Sequence, residues 1–284
     1  MNLTNLHGLP DALVNAIKND PYQGGGDISV TKLIDSPRRR VLGKKFKDVV
    51  VVDVSEMTWA LMGQAMHTVL ERSKTEALVE KRLYAEVDGW QVSGQFDRVH
   101  LEHGVMQDWK VCSVYKHKGD VAWERQLNCL RWLAVQNNMQ VDKLQVVAIF
   151  RDWKKSEALR NPDYPKQNVM VIDVPVWGID VAYAYVKQRV TLHKSAEIGQ
   201  EYQCTEEERW YSGTTYALMK EGGKRAKRVA ASIEELGSIP DGHFVQTRPG
   251  ISRRCADYCD VAPFCQQWGQ EQQQLQQESG NDVD

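Results

Sequence analysis

The chain has 284 residues, of which 42% are hydrophobic and 26% charged, and its formal net charge is −2. That composition is that of an ordinary globular protein, long enough for one elaborated domain or two modest ones. It excludes a global basic signature of nucleic-acid binding but not a local basic groove. No stretch approaches the roughly 18 apolar residues of a membrane span, and the N-terminus lacks a signal-peptide pattern. A cytoplasmic protein with no membrane partner is the expectation.

In chain order, residues 1–27 are mixed and Gly-rich at Gly24-Gly25-Gly26, which predicts a loosely held arm. Ile28–Arg40 reads as a short capped helix stopped at Pro37, and Arg38–Lys47 is strongly basic. A long helix is predicted from Ser55, as N-cap, to Val79, with Met62, Met66, Val69 and Leu70 as its apolar stripe. Strands follow near Leu83–Asp88, Gln91–His100 and Val105–Ser113, then a helix over Asp120–Gln136 with Trp123, Leu127, Leu130 and Ala134 on one side. Leu144–Arg151 and Val169–Val174 read as strands and Trp177–Ala196 as a helix. Thr205–Leu236 reads as largely helical with a break at Gly222-Gly223, and Gln266–Asp284 as a polar, frayed end. The layout is α/β with a mixed central sheet flanked by helices and a helical, cysteine-rich C-terminal extension. The expected organisation is an arm at 1–27, a core at 28–196, an extension at 197–268 and a polar tail at 269–284.

The most informative stretch is Gly94-Gln95-Phe96-Asp97, followed eleven residues after the aspartate by Asp108-Trp109-Lys110. With a turn at Glu102-His103-Gly104, Asp97 falls across from Asp108 on two hairpin strands. Strand period two puts Lys110 on the face of Asp108 and sends Trp109 the other way, into a core. Two facing carboxylates repel unless a cation lies between them, and oxygen ligands suit Mg²⁺ or Mn²⁺. Upstream, Gly63 and His67 share a helix face; Glu86 stands on the preceding strand and Gln126 on the following helix.

The order Gly63-x₃-His67, Glu86, Gly94-x-x-Asp97, Asp108-x-Lys110, Gln126 resembles the PD-(D/E)XK nuclease superfamily, in the branch with RecB-like domains, lambda exonuclease and the CRISPR-adaptation exonucleases. The resemblance covers roughly Ser29 to Val174 and implies a restriction-endonuclease-like core acting on DNA. It implies that His67, Asp97 and Asp108 bind metal, with the Trp109 carbonyl as a further ligand, and that Lys110 acts on the attacking water. Glu86 and Gln126 complete the implied catalytic set. The branch often has Gln-x₃-Tyr on the helix, whereas Leu130 stands at the tyrosine position here. An exonuclease in recombination, repair or replication is implied, often phage-encoded and then acting in the bacterial host cytoplasm. No phosphate-loop motif is present, so unwinding needs a helicase, and a single-strand annealing or recombination protein is another implied partner. The rival is a DNA-binding or scaffold protein that keeps the fold without cleavage.

Of six cysteines, Cys112 and Cys129 read as buried, inert thiols. Cys255, Cys259 and Cys265 are crowded, with Cys204 upstream; four thiolates suit a tetrahedral zinc or an iron–sulfur cluster. Cluster-bearing members of the branch carry a cysteine just before a Pro-Arg pair. Ser36 stands there in this chain, so the resemblance implies a 4Fe-4S cluster on Cys204, Cys255, Cys259 and Cys265, with Zn²⁺ as the alternative. Arg38 and Arg39, and Lys224, Arg225, Lys227 and Arg228, are the expected phosphate contacts.

Overall fold

The computed structural model describes residues 2–19, 24–73 and 76–280. Its elements are β1 (Asn2–Thr4), α1 (Asp11–Lys18), β2 (Ile28–Ser29), α2 (Val30–Leu33), α3 (Pro37–Lys45), β3 (Val51–Asp53), α4 (Thr58–Glu71), β4 (Leu78–Val87), β5 (Trp90–His100) and β6 (Val105–Cys112). Next come α5 (Val121–Gln136), β7 (Lys143–Phe150), α6 (Lys155–Arg160), β8 (Val169–Val174), α7 (Ile179–Glu197), α8 (Glu206–Arg209), β9 (Thr215–Lys220), β10 (Ala226–Ala230), α9 (Ile233–Leu236), β11 (His243–Arg248), α10 (Arg253–Asp257) and α11 (Gln266–Gly280). They divide into two compact units, residues 1–35 with 51–200, and residues 36–50 with 201–284. The basic segment after Pro37 therefore groups with the C-terminal unit, not with the predicted core. Among the described residues no helix is long and apolar enough to cross a membrane.

The first unit is built on a six-stranded mixed sheet in the order β2-β5-β6-β7-β8, with β4 on the other edge of β5. Asp88-Gly89 closes β4 onto β5 as a two-residue turn, both residues at positive φ (49° and 74°). β6 and β7 run parallel, which requires a crossover, and α5 supplies it. Asp120 starts α5 by accepting from the N–H of Ala122. Trp123, Leu127, Leu130 and Ala134 are buried as the helical period demands, and Leu127, Leu130 and Leu133 contribute roughly 1.5–3 kcal/mol each. A Cβ at Gly94 would lie 2.5 Å from Leu130, so only glycine lets α5 sit this close to β5. Cys112 and Cys129 are buried in this core as free thiols, and burial pushes the Cys129 thiol up to about 12.

Several local expectations give way to tertiary packing. Residues 2–19 are not a loose arm, because β1 pairs with β3 and α1 buries Val14 and Ile17 against Val54. Residues 20–23 of the expected arm lie outside the described residues. The helix expected over Ser55–Val79 ends at Glu71, and Val79 belongs to β4. Asp53, not Ser55, caps the short 3-10 turn that precedes α4. The predicted apolar stripe of α4 is not core: no residue of α4 is buried, and Met62 and Val69 are exposed. Pro37 opens α3 at its first turn, with Ser36 as N-cap, rather than only ending the helix before it.

In the second unit, β9 is the centre of a three-stranded antiparallel sheet with β10 and β11 on its edges. The helix expected over Thr205–Leu236 is thus mostly sheet, and Gly222-Gly223 lies in the hairpin turn between β9 and β10. Only α8 and α9 remain helical there, α8 opened by a Thr205–Glu208 capping box. The C-terminal extension is cysteine-rich but mixed, not helical. The expected polar tail continues α11 to Gly280, and 281–284 lie outside the described residues.

Candidate active site

One edge of β5 is shared by two partners. β2 pairs with Val92 and Ser93, and β6 pairs with Arg98, Val99 and His100. Between them neither strand pairs with Gly94 to Asp97, and the carboxylate of Asp97 takes over: Trp109 N–H donates to its Oδ2 at 2.7 Å. Asp97 thereby stands opposite Asp108 as the hairpin register predicts, just past the last ladder pair, Arg98 with Gln107.

Asp108 and Lys110 lie along β6 on the same face as Met106 and Cys112, which are buried in the core. Trp109 points to the other side and is only half-buried, which reverses the expectation that it fills the core. Asp108 is buried; its Oδ2 lies 2.8 Å from Nζ of Lys110, and its Oδ1 accepts from Nε2 of Gln126 at 3.4 Å. Burial opposes the charge of Lys110, but the Asp108 carboxylate outweighs it and holds the ammonium above its ordinary range. Lys110 is therefore a fixed cation at neutral pH.

His67 reaches the same place from α4. Its Nδ1 lies 3.5 Å from Asp97 and 3.4 Å from Glu80, and donor atoms of His67, Glu80 and Asp97 all fall within 4.8 Å of one another. Burial, reinforced by the charge of Asp108, pushes the Asp97 carboxyl up to about 7. The hydrogen bond to Glu80 raises His67 against the effect of burial. Burial alone would raise Glu80, yet His67 and Gln95 bring it below the usual range, with Gln95 Nε2 donating at 2.6 Å.

Glu80 is the residue that sequence reasoning missed. The expected acid, Glu86, is exposed and pairs with Gln91 at the far end of β4, six residues or about 20 Å along the strand from Glu80. Glu80 interrupts the β4–β5 ladder between Val79 and Lys81 and adopts φ 49°. For a glutamate this left-handed conformation is strained, at a cost on the order of 1–3 kcal/mol, and such outliers cluster at functional sites. The signal was present in Asp88-Gly89: a two-residue turn closing Val87 on Trp90 sets a register that puts Glu80 opposite Asp97.

Carboxylate oxygens, an imidazole and a buried Asp108 Oδ2 whose neighbour among the described residues is the Lys110 ammonium form a set that fits a hard divalent cation. Without one, the carboxyls of Asp97 and Asp108 face each other across the strands and repel.

The four clustered cysteines lie in the second unit, where Cys204, Cys255, Cys259 and Cys265 line one cavity with Arg38 and Arg39. Ser36 Oγ is 3.0 Å from Cys204 Sγ. Arg38 donates through Nε to Cys265 Sγ at 3.3 Å and through Nη1 to Glu201 and to the carbonyl of Tyr202. Arg39 donates to Asp260. Arg38 is thus engaged within this unit, whereas the side chain of Arg39 stays 35% exposed beside Asp260. Lys224, Arg225, Lys227 and Arg228 are exposed at the β9–β10 hairpin.

No protein-family model matches the chain, and no curated protein does. Among solved structures it is similar to SSO0001, at 16% identity and a TM-score of 0.49 over 70% of this chain and 90% of that one. It is also similar to a phage-related exonuclease from Haemophilus somnus 129PT, at 11% identity and a TM-score of 0.30 over 66% of this chain and 77% of that one. Likenesses this distant assign neither a family nor an activity, and the site geometry has to carry the functional reading.

Proposed function

We propose that the protein is a Mg²⁺- or Mn²⁺-dependent DNA nuclease of the PD-(D/E)XK type, acting as an exonuclease in recombination, repair or replication. The observation that carries this reading is the convergence of His67, Glu80 and Asp97 from three elements beside the Asp108–Lys110 pair. His67, Glu80, Asp97 and Asp108 are the residues that would hold the metal, with the Trp109 carbonyl as a further candidate. A bound divalent ion supplies charge neutralisation of the phosphodiester and a water of lowered pKa. The chain's own contribution is positional. Lys110, kept protonated by Asp108, presents a cation where charge develops on the attacking or leaving oxygen. Gln126 anchors the free oxygen of Asp108 and keeps that carboxylate aimed.

The test uses linear DNA, single- and double-stranded, labelled at either end. Wild type is expected to digest it with Mg²⁺ or Mn²⁺ and to stop on chelation, and Asp108→Ala is expected to fall to background. DNA bound but left intact by folded, metal-replete wild type would favour the binding-protein reading instead. A helicase or annealing protein remains the kind of partner such an exonuclease would use.

For the four cysteines that line one cavity we propose a 4Fe-4S cluster, with Zn²⁺ as the alternative. Burial raises the thiols of Cys204 to about 11 and Cys255 to about 12, so a ligated centre must offset the cost of their charge. Anaerobically purified protein is expected to absorb broadly in the visible and to contain about four irons per chain. Cys204→Ala should lose both, and stoichiometric zinc with no iron would overturn the cluster.

A further inference from the structure

Helix α4 carries His67, yet buries none of its residues, and its largest side chain, Trp59, is 59% exposed. An indole this exposed adds little to the core and leaves ring surface available to a partner. The guanidinium of Arg151 lies over the ring, 4.4 Å from its centroid, and Arg151 is itself exposed. The pair has a definite place relative to the site. Trp59, Gly63 and His67 follow at i, i+4 and i+8, one ridge of the helix, spanning about 12 Å. Between the two ends a Cβ at Gly63 would meet nothing within 4 Å, so the ridge has an open step. Arg151 follows β7, and its N–H bonds the carbonyl of Cys112, two residues beyond Lys110 on β6. The exposed ring thus stands near the end of the strand that carries Asp108 and Lys110, on the same helix ridge as His67 and about two turns from it.

We infer that Trp59, backed by Arg151, is a stacking platform for a base of single-stranded DNA whose neighbouring phosphate reaches the His67–Glu80–Asp97 group. A ring with a guanidinium over one face and its other face offered to a base matches a nucleotide, which brings a π-face and an anionic phosphate together. Stacking is indifferent to base identity, which suits a strand that is traversed rather than read. The open step at Gly63 leaves the sugar-phosphate backbone a route past the helix. Trp59 is a specificity-determining residue for strand state, because a paired base has no free face to offer. The inference rests on the nuclease reading.

The experiment measures binding of a short fluorescent single-stranded oligonucleotide, and of its duplex, to the full-length Asp108→Ala protein. In that background Trp59→Ala is expected to weaken single-strand binding about tenfold or more while leaving the duplex unaffected. Trp59→Phe should retain most of the affinity, which separates stacking from a folding defect. Arg151→Gln should lower the salt dependence by about one phosphate contact. Equal single-strand binding by Trp59→Ala and its parent overturns the inference while leaving the nuclease reading standing. An oligomer in the parent that becomes a monomer in Trp59→Ala also overturns it, assigning the face to self-association. If the parent binds no single strand and wild type cleaves neither form of DNA, the nuclease reading fails, and this inference with it.

Discussion

Asp97→Asn will abolish metal-dependent hydrolysis and at the same time make the metal-free protein more stable. The amide keeps an oxygen for the Trp109 N–H but removes a charge that the site disfavours, since the carboxyl is lifted from 3.8 to about 7 by burial and by Asp108. The folded state therefore binds this proton more tightly than the unfolded chain. Below about pH 4 both states are protonated and the carboxyl has no net cost. Stability is then lost as pH rises to about 7, and is constant above it. At about 1.36 kcal/mol per pH unit the full cost is roughly 4 kcal/mol, and its relief by Asn should raise the midpoint of chemical denaturation at pH 8 but not at pH 4. Because a metal must displace the same proton, Mg²⁺ or Mn²⁺ affinity in wild type should rise up to about pH 7 and then level off. Calorimetric titrations in buffers of different ionisation heat will report the released proton. An Asn variant no more stable at pH 8 than wild type would mean that the carboxylates do not repel as the geometry requires.

Lys110→Ala has the second large effect, with the opposite consequence for stability. Lys110 stands 2.8 Å from Asp108, whose side chain is only 4% exposed, so removing the ammonium strands a buried carboxylate. Breaking such a pair costs about 3–5 kcal/mol in the metal-free protein. Added Mn²⁺ should recover part of that loss, because a cation bound by the neighbouring carboxylates can stand in for the missing charge. Hydrolysis should not recover, and the rate is expected to fall about 10²–10⁴-fold at saturating metal. The double variant Lys110→Ala, Asp108→Ala should regain stability while remaining inactive, which separates the two roles. A Lys110→Ala protein cleaving at the wild-type rate would remove Lys110 from the chemistry and leave it as a structural counter-ion.

What the sequence determined alone is the part governed by short-range periodicity. The strands around Asp97 and Asp108, their register, the shared face of Asp108 and Lys110 and the buried side of α5 all follow from alternation, one turn and the helical repeat. Glu80 was half legible: the Asp88-Gly89 turn sets its place opposite Asp97, but its left-handed backbone is imposed by the surrounding ladder. The rest is non-local. Tyr216-Ala217-Leu218-Met219-Lys220-Glu221 is rich in good helix formers, yet pairing with β10 and β11 makes it the centre of a sheet. Met62 and Val69 follow the period of a buried face, but among the described residues both stay exposed. Arg38 reads in the sequence as part of a basic run, and its partners Cys265, Glu201 and Tyr202 come from more than 160 residues away. Local patterns constrain a segment's own torsions and faces, whereas which distant segment meets that face is settled by packing of the whole chain, and that packing chose the fourth member of this site.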